Sequence, residues 1–392
     1  MGLLCEETQW KGRDALRITN GILELISLLE GGHLTCFRFI EPNGEPSYNV
    51  LWEAPWELRG LNEAWNNQAS LQYGPLATGK FLAGYTGHAL CLDYFGDPDP
   101  KQAVSGLGLH GEAAVRRWYV AGCDISTHLH CRLAVNLPIA HLRLERNIQI
   151  QERQSVIYVQ EHLYNERDTE THCNWVQHVT FGSPFLSRNT ATVLASATSG
   201  ATSHLGYGGK SLLPVSHPFT WPFVQLGPGS NRADLRTPFA RDGKGFLLGM
   251  ALDPSREIEF LLAINWSLRL GVGYFFRRDS FPWMTVWEEN CSRQEEPWKG
   301  TTRARGMEFG TVPLPRTAGE TFPYESFSNA PTGLSIPAHE KRTAPYIMAL
   351  FQVPKGMRAI EDVVLRGDTL SICAEGEILL SIPARDCEAF LS

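Results

Sequence analysis

The chain has 392 residues, 43% of them hydrophobic and 20% charged, enough to build a sizeable globular core. Its 35 basic and 42 acidic residues give a net charge of −7 with no long Lys/Arg block, which argues against a nucleic-acid partner. No apolar run approaches the roughly 18–20 residues that cross a bilayer, so no membrane partner is expected.

The N-terminal MGLLCEETQWKGRD lacks a basic segment followed by a long apolar one, so no secretory signal is read there. Nine cysteines are scattered with no C-x-x-C spacing, a usage that fits reduced thiols in a cytoplasm. From residue 18, ITNGILELISLLEGGHLTCFRFI mixes β-branched and apolar residues around a Gly-Gly turn. GLGLHGEAAVRRW (106–118) then places His110 before Gly111, a residue that permits positive φ or close backbone approach. On its own this reads equally as a turn histidine.

STHLHC follows, with His128 and His130 on one strand face. An H-x-H pair opens a cupin-type metal site, and Glu145 and His162 are available at loose spacing. A surface histidine pair is the preferred reading, so neither a metal nor a cofactor is expected. HLRLERNIQI (141–150) alternates: Leu142, Leu144, Ile148 and Ile150 share one parity, Arg143, Glu145 and Gln149 the other. That is a strand with one wet face.

SVIYVQEHLYNERDTETHCNWVQHV continues as a strand, a polar turn near residues 165–169 and another strand, with His178 where the apolar run enters FGSP. A core histidine bonded to a neighbouring strand is the plain alternative. Residues 196–245, rich in Gly, Ser, Thr and Pro, read as long loops that carry specificity.

IEFLLAINWSLRLGVGYFF is strand-like, as is FPWMTVWEEN. The latter places Trp283, Thr285, Trp287 and Glu289 on one face by period two. Trp287 and Glu289 are the candidate substrate contacts, an aromatic platform with a carboxylate for hydroxyls; ordinary core is the alternative. In RGMEFG (305–310), a carboxylate at Glu308 between Met307 and Phe309 is expected to be desolvated and so raised toward acid–base duty. The tail VVLRGDTLSICAEGEILLSIP is again strand-like. Short strands with Gly and Pro between them predict an all-β, large antiparallel sandwich or barrel, taken as a single domain over 1–392.

His110, His178 and Glu308 each fall near a strand–turn junction. If they converge, they suit proton transfer at two oxygens of one small molecule, which opens and recloses a cyclic hemiacetal. GLHGE, the segment from HLRLERNIQI through WVQHVTFGSPFL, and RGMEFG together resemble the galactose mutarotase-like superfamily, which includes the aldose 1-epimerases. The matching positions are His110-Gly111, Asn165, His178 and Glu308, over roughly residues 20–320. The resemblance implies a β-supersandwich and an isomerase acting on a monosaccharide or sugar derivative. It implies Glu308 as general base on the anomeric hydroxyl, His178 as general acid at the ring oxygen, and His110 as a hydrogen-bonding sugar ligand. Other readings stay open: a carbohydrate-binding protein without turnover, and a lyase or glycosidase-like enzyme on the same fold.

Overall fold

The computed structural model describes residues 2–41, 45–98, 100–229, 231–315 and 329–392. It is 48% strand and 8% helix, as the turn-punctuated sequence predicts. Two large antiparallel sheets face each other. The first runs in the order Leu4–Trp10, Arg13–Thr19, Leu23–Leu28, Leu34–Phe39, His88–Asp93, Thr171–Gly182, Arg303–Gly310, Trp283–Asn290, Lys244–Leu252, Ala197–Thr202 and three short strands. The second contains eight strands, with Val156–Asn165 between Lys341–Gln352 and Leu142–Gln151.

Alternation decides which side chains enter the space between the sheets. Leu142, Leu144, Ile148 and Ile150 are buried there, while Arg143, Glu145 and Gln149 are partly exposed. Val179 and Phe181 enter the same core from the first sheet, so the even-numbered His178 must face the other way. Each large apolar side chain withdrawn from water contributes about 1.5–3 kcal/mol, and this shared core is what fixes the register.

Arg146 departs from the one-wet-face reading, because its parity is that of the buried leucines. It is fully buried, paired at 2.6 Å with Glu161 directly opposite on the neighbouring strand. Trp175 and Gln177 also donate to Glu161, and Arg146 Nη1 donates to Gly32 O, so the buried charges have polar partners.

The tail forms a third sheet of its own, Asp362–Arg366, Thr369–Ala374 and Glu377–Pro383. Its Val363, Leu370, Ile372 and Ile382 pack on Phe260, Leu262, Phe275 and Ile347 of the second sheet. That sheet is apolar on both faces, which is why Ile258–Asn265 reads as a continuous apolar run rather than an alternating one. Among the described residues no helix is long and apolar enough to cross a membrane.

The outer face of the first sheet is covered by chain between its fourth and fifth strands. Two helices, Asn67–Tyr73 and Leu76–Gly84, lie there. Asn66 caps the first helix by accepting from the Ala69 N–H, and Gly74 closes it at φ 92°.

Candidate active site

Four neighbouring strands build the floor of the site. On Thr171–Gly182, His178 pairs in register with Ala89 on one side and Glu308 on the other; Glu308 in turn pairs with Thr285. Directly opposite residues on antiparallel strands share a face. His178 Nε2 accordingly lies 3.3 Å from Glu308 Oε1, with both side chains buried. Glu308 Oε2 is also buried and has no hydrogen-bond partner among the described residues.

A glycine makes this placement possible. Gly306, two residues before Glu308 on the same face, would carry a Cβ only 2.4 Å from Oε1. Without one, the carboxylate lies over the strand and meets the imidazole. Met307 and Phe309 do not desolvate Glu308 as its sequence neighbours suggest, since both belong to the core between the sheets. The groups on Glu308's own face bury it.

His178 is not at a strand end. Its strand continues through Gly182, paired with Arg303–Gly310 as far as Ala304. Four further residues are thus paired on the Glu308 side and one, Val179, on the other. Its Nδ1 faces the Tyr85 hydroxyl at 3.1 Å and the Thr180 hydroxyl at 3.2 Å, and these two hydroxyls bond each other. Tyr85 comes from the end of the helix Leu76–Gly84.

His110 reaches the site from a loop. Its φ is 64° and that of Gly111 is 85°, and a Cβ on Gly111 would strike Leu92 O at 2.4 Å. A glycine is required there. Buried Glu112 anchors this turn by accepting from the Ile139 and Ala140 N–H groups and from Arg116. The Gly96 N–H donates to His110 Nδ1 at 3.2 Å. A backbone N–H can only donate, so neutral His110 carries its proton on Nε2. The His110 and His178 rings are 5.5 Å apart. Asn165 stands away from this cluster; its amide bonds the carbonyls of Thr169, Ile336 and Pro337 and shapes a turn.

Burial dominates the electrostatics, because desolvation disfavours whichever form is charged. It drives the Glu308 carboxyl well above its usual value. It pulls His178 down to about 3 and His110 well below the ordinary imidazole value. Both shifts favour the uncharged forms, a protonated Glu308 carboxyl and a neutral His178 ring.

These three residues line one cleft of about 550 Å³, within the ~300–1,000 Å³ of small-molecule sites. Trp287 lines it too, and its Nε1 donates to the Tyr207 hydroxyl at 2.7 Å. Glu289 shares the face of Trp287 but does not reach the cleft. Its oxygens are taken by the Tyr207 and Ser292 hydroxyls and by the N–H groups of Ser292 and Arg293. It shapes the wall from behind. The wall residues Tyr207 and Arg293 went unread in the sequence, as did Tyr85; Arg293 packs its guanidinium 4.6 Å from the Trp298 ring centre. The His128 and His130 strand belongs to the second sheet, and the described residues hold no group of three or more His, Cys, Asp or Glu side chains placed to bind a metal.

No protein-family model matches this chain, and no curated protein sequence does. Solved structures do match. A candidate aldose 1-epimerase from Klebsiella pneumoniae is 15% identical with a TM-score of 0.58, covering 90% of this chain and 88% of that one. A galactose mutarotase-like protein from Clostridium acetobutylicum is 11% identical with a TM-score of 0.56, covering 90% and 99%. A galactose mutarotase related enzyme from Lactobacillus acidophilus is 10% identical with a TM-score of 0.52, covering 88% and 100%. Likeness at such identities speaks to architecture alone, and by architecture the chain has the galactose mutarotase-like fold.

Proposed function

We propose that this protein interconverts the anomers of an aldose or aldose derivative by acid–base ring opening. The observation that carries the reading is the buried His178–Glu308 pair, 3.3 Å apart on the cleft floor with a free carboxyl oxygen beside it. Ring opening needs one proton delivered to the ring oxygen and one removed from the anomeric hydroxyl. A pair that holds one proton and has room for its exchange meets both needs.

In the uncharged resting pair the proton is on Glu308. The carboxyl gives it to the ring oxygen while His178 Nε2 takes the anomeric hydroxyl proton, and the C1–O5 bond breaks to leave an open-chain aldehyde. Rotation about C1–C2 and the reverse transfers close the ring on the other face. The pair is charged in the open-chain state, Glu308 as carboxylate and His178 as imidazolium. On closure the Glu308 carboxylate takes the C5 hydroxyl proton and the His178 imidazolium returns one to the carbonyl oxygen, which restores the uncharged pair. The resemblance pairs the groups with the opposite oxygens, Glu308 with the anomeric hydroxyl and His178 with the ring oxygen, and that arrangement starts from the charged pair.

His110 donates from Nε2 to a sugar oxygen and steadies developing negative charge. The Trp287 ring packs against the sugar's C–H face. Glu289 acts indirectly, by holding Tyr207 and Arg293 in the wall. Exchange between anomeric proton signals, followed by magnetisation-transfer NMR over a panel of neutral, deoxy, acidic and phosphorylated aldoses, tests the reading. Accelerated exchange of one or more of them supports it; no acceleration of any of them removes it.

A further inference from the structure

The site contains a group that the proton cycle does not itself consume. Tyr85 and Thr180 present two hydroxyls to the back of the His178 ring, at 3.1 and 3.2 Å from Nδ1. Tyr85 is fully buried and Thr180 has no exposed surface. The Tyr85 hydroxyl and the Thr180 hydroxyl bond each other, so one of their two protons is spent between them and the pair has oxygen lone pairs to offer Nδ1.

Both ends of the proposed cycle require a proton on His178 Nδ1. When Nε2 accepts from Glu308, a neutral imidazole must carry its hydrogen on Nδ1. When Nε2 has gained the substrate's proton, the imidazolium carries hydrogens on both nitrogens. The Nδ1 hydrogen therefore stays in place while the Nε2 hydrogen comes and goes. The other neutral tautomer, with hydrogen on Nε2 alone, has no lone pair facing Glu308 and cannot act as the base.

We propose that Tyr85 and Thr180 are positioning residues that hold His178 in the tautomer with hydrogen on Nδ1, by accepting that hydrogen in a buried hydroxyl pair. The geometry carries this for three reasons. Among the described residues the two hydroxyls are the hydrogen-bond partners of Nδ1. They come from separate elements, a helix end and the His178 strand itself, so the ring is fixed in rotation as well as in tautomer. His110, 5.5 Å away, is fixed in the opposite tautomer by a backbone donor. One histidine of the site is thus set to donate from Nε2, and the other is set to exchange there. The inference rests on the anomer-exchange reading for its catalytic consequence, but the tautomer itself does not depend on any activity.

The test is nitrogen-15 NMR of the histidine rings in the full-length protein, with His178 assigned by comparison with His178→Gln. The wild type is expected to show His178 with Nδ1 protonated and Nε2 unprotonated at neutral pH. Tyr85→Phe keeps the ring packing, and Thr180→Val keeps the shape. Either is expected to convert a measurable fraction of His178 to the Nε2-protonated form, and the double variant most of it. Thr180→Ser, which keeps a hydroxyl, is expected to retain the wild-type tautomer. With a confirmed substrate, Tyr85→Phe is expected to lower kcat by about 10–100-fold, the scale seen when a group that orients a working histidine is removed, with KM within about threefold. Wild-type His178 protonated on Nε2 alone overturns the proposal, as does a folded double variant whose tautomer is unchanged. If the tautomer behaves as stated but no aldose is exchanged, the positioning holds and the proposed reaction fails.

Discussion

Gly306→Ala isolates the geometry of the acid–base pair from its chemistry. The added Cβ would stand 2.4 Å from Glu308 Oε1 and 3.3 Å from its Cδ. Ordinary contact begins near 3.4 Å, so the carboxylate must withdraw by about 1 Å. That movement separates Oε1 from His178 Nε2, now 3.3 Å away, while leaving every ionisable group in place. A misplacement of about 1 Å costs on the order of 100-fold in rate. The effect on stability should be small. Gly306 has no left-handed φ, so alanine fits the backbone, and restricting the unfolded chain returns about 0.4–1 kcal/mol against the cost of moving a side-chain end. The assay is anomer exchange by magnetisation transfer beside a thermal melt. The expected outcome is a rate loss near 100-fold with the melting temperature within a few degrees of wild type. A well-folded Gly306→Ala protein with near-normal exchange would refute the role given to the Glu308 position.

Further outcomes follow from the same site. His110→Ala should raise KM and lower kcat together, because His110 is assigned to the sugar rather than to the proton cycle; a change confined to kcat would contradict that assignment. The pH profile should be a plateau bounded by the pair as a unit, since His178, Glu308 and Tyr85 face one another. Burial lowers His178 to about 3 and raises Glu308 well above its usual value. The pair should gain its second proton only in strong acid and lose its last well above the ordinary carboxylate range. Exchange should therefore show no step near the free-histidine value of about 6.5, and a clear half-loss there would reject the neutral pair. Glu289→Ala should destabilise the fold, by about 3 kcal/mol or more, since it strips several buried donors of their acceptor. An unchanged melt with weakened sugar binding would restore Glu289 as a direct contact.

How far the sequence discloses this site depends on the range of the interactions involved. Strands and their wet faces are local, so Leu142–Gln151 and the turn at residues 165–169 were legible from alternation and polar composition. The meeting of His178 with Glu308 was not local. It depends on the register of two strands about 130 residues apart, which spacing cannot reveal. The short motifs suggested the convergence only through their resemblance to a family. Period two placed Glu289 on the correct face, but the turn that folds Ser292 and Arg293 back onto its carboxylate is tertiary. Arg146 shows the converse case. A charge on an apolar parity invites a wet exception, and only the cross-strand position of Glu161 explains its burial. Tyr85 was missed because the helix carrying it has little amphipathic pattern. That helix, Leu76–Gly84, begins after Pro75 with no side-chain cap, so it lacks a polar capping signal as well.

The most direct test is anomer exchange by wild type and Glu308→Gln, measured side by side on the same aldose panel. Glutamine keeps the shape of the side chain but can neither give nor take the proton. The expected result is acceleration of at least one aldose by wild type, with a loss of about 10²–10⁴-fold in the variant and affinity within about tenfold. Exchange by Glu308→Gln at near the wild-type rate, on a substrate that wild type turns over, would contradict the His178–Glu308 mechanism.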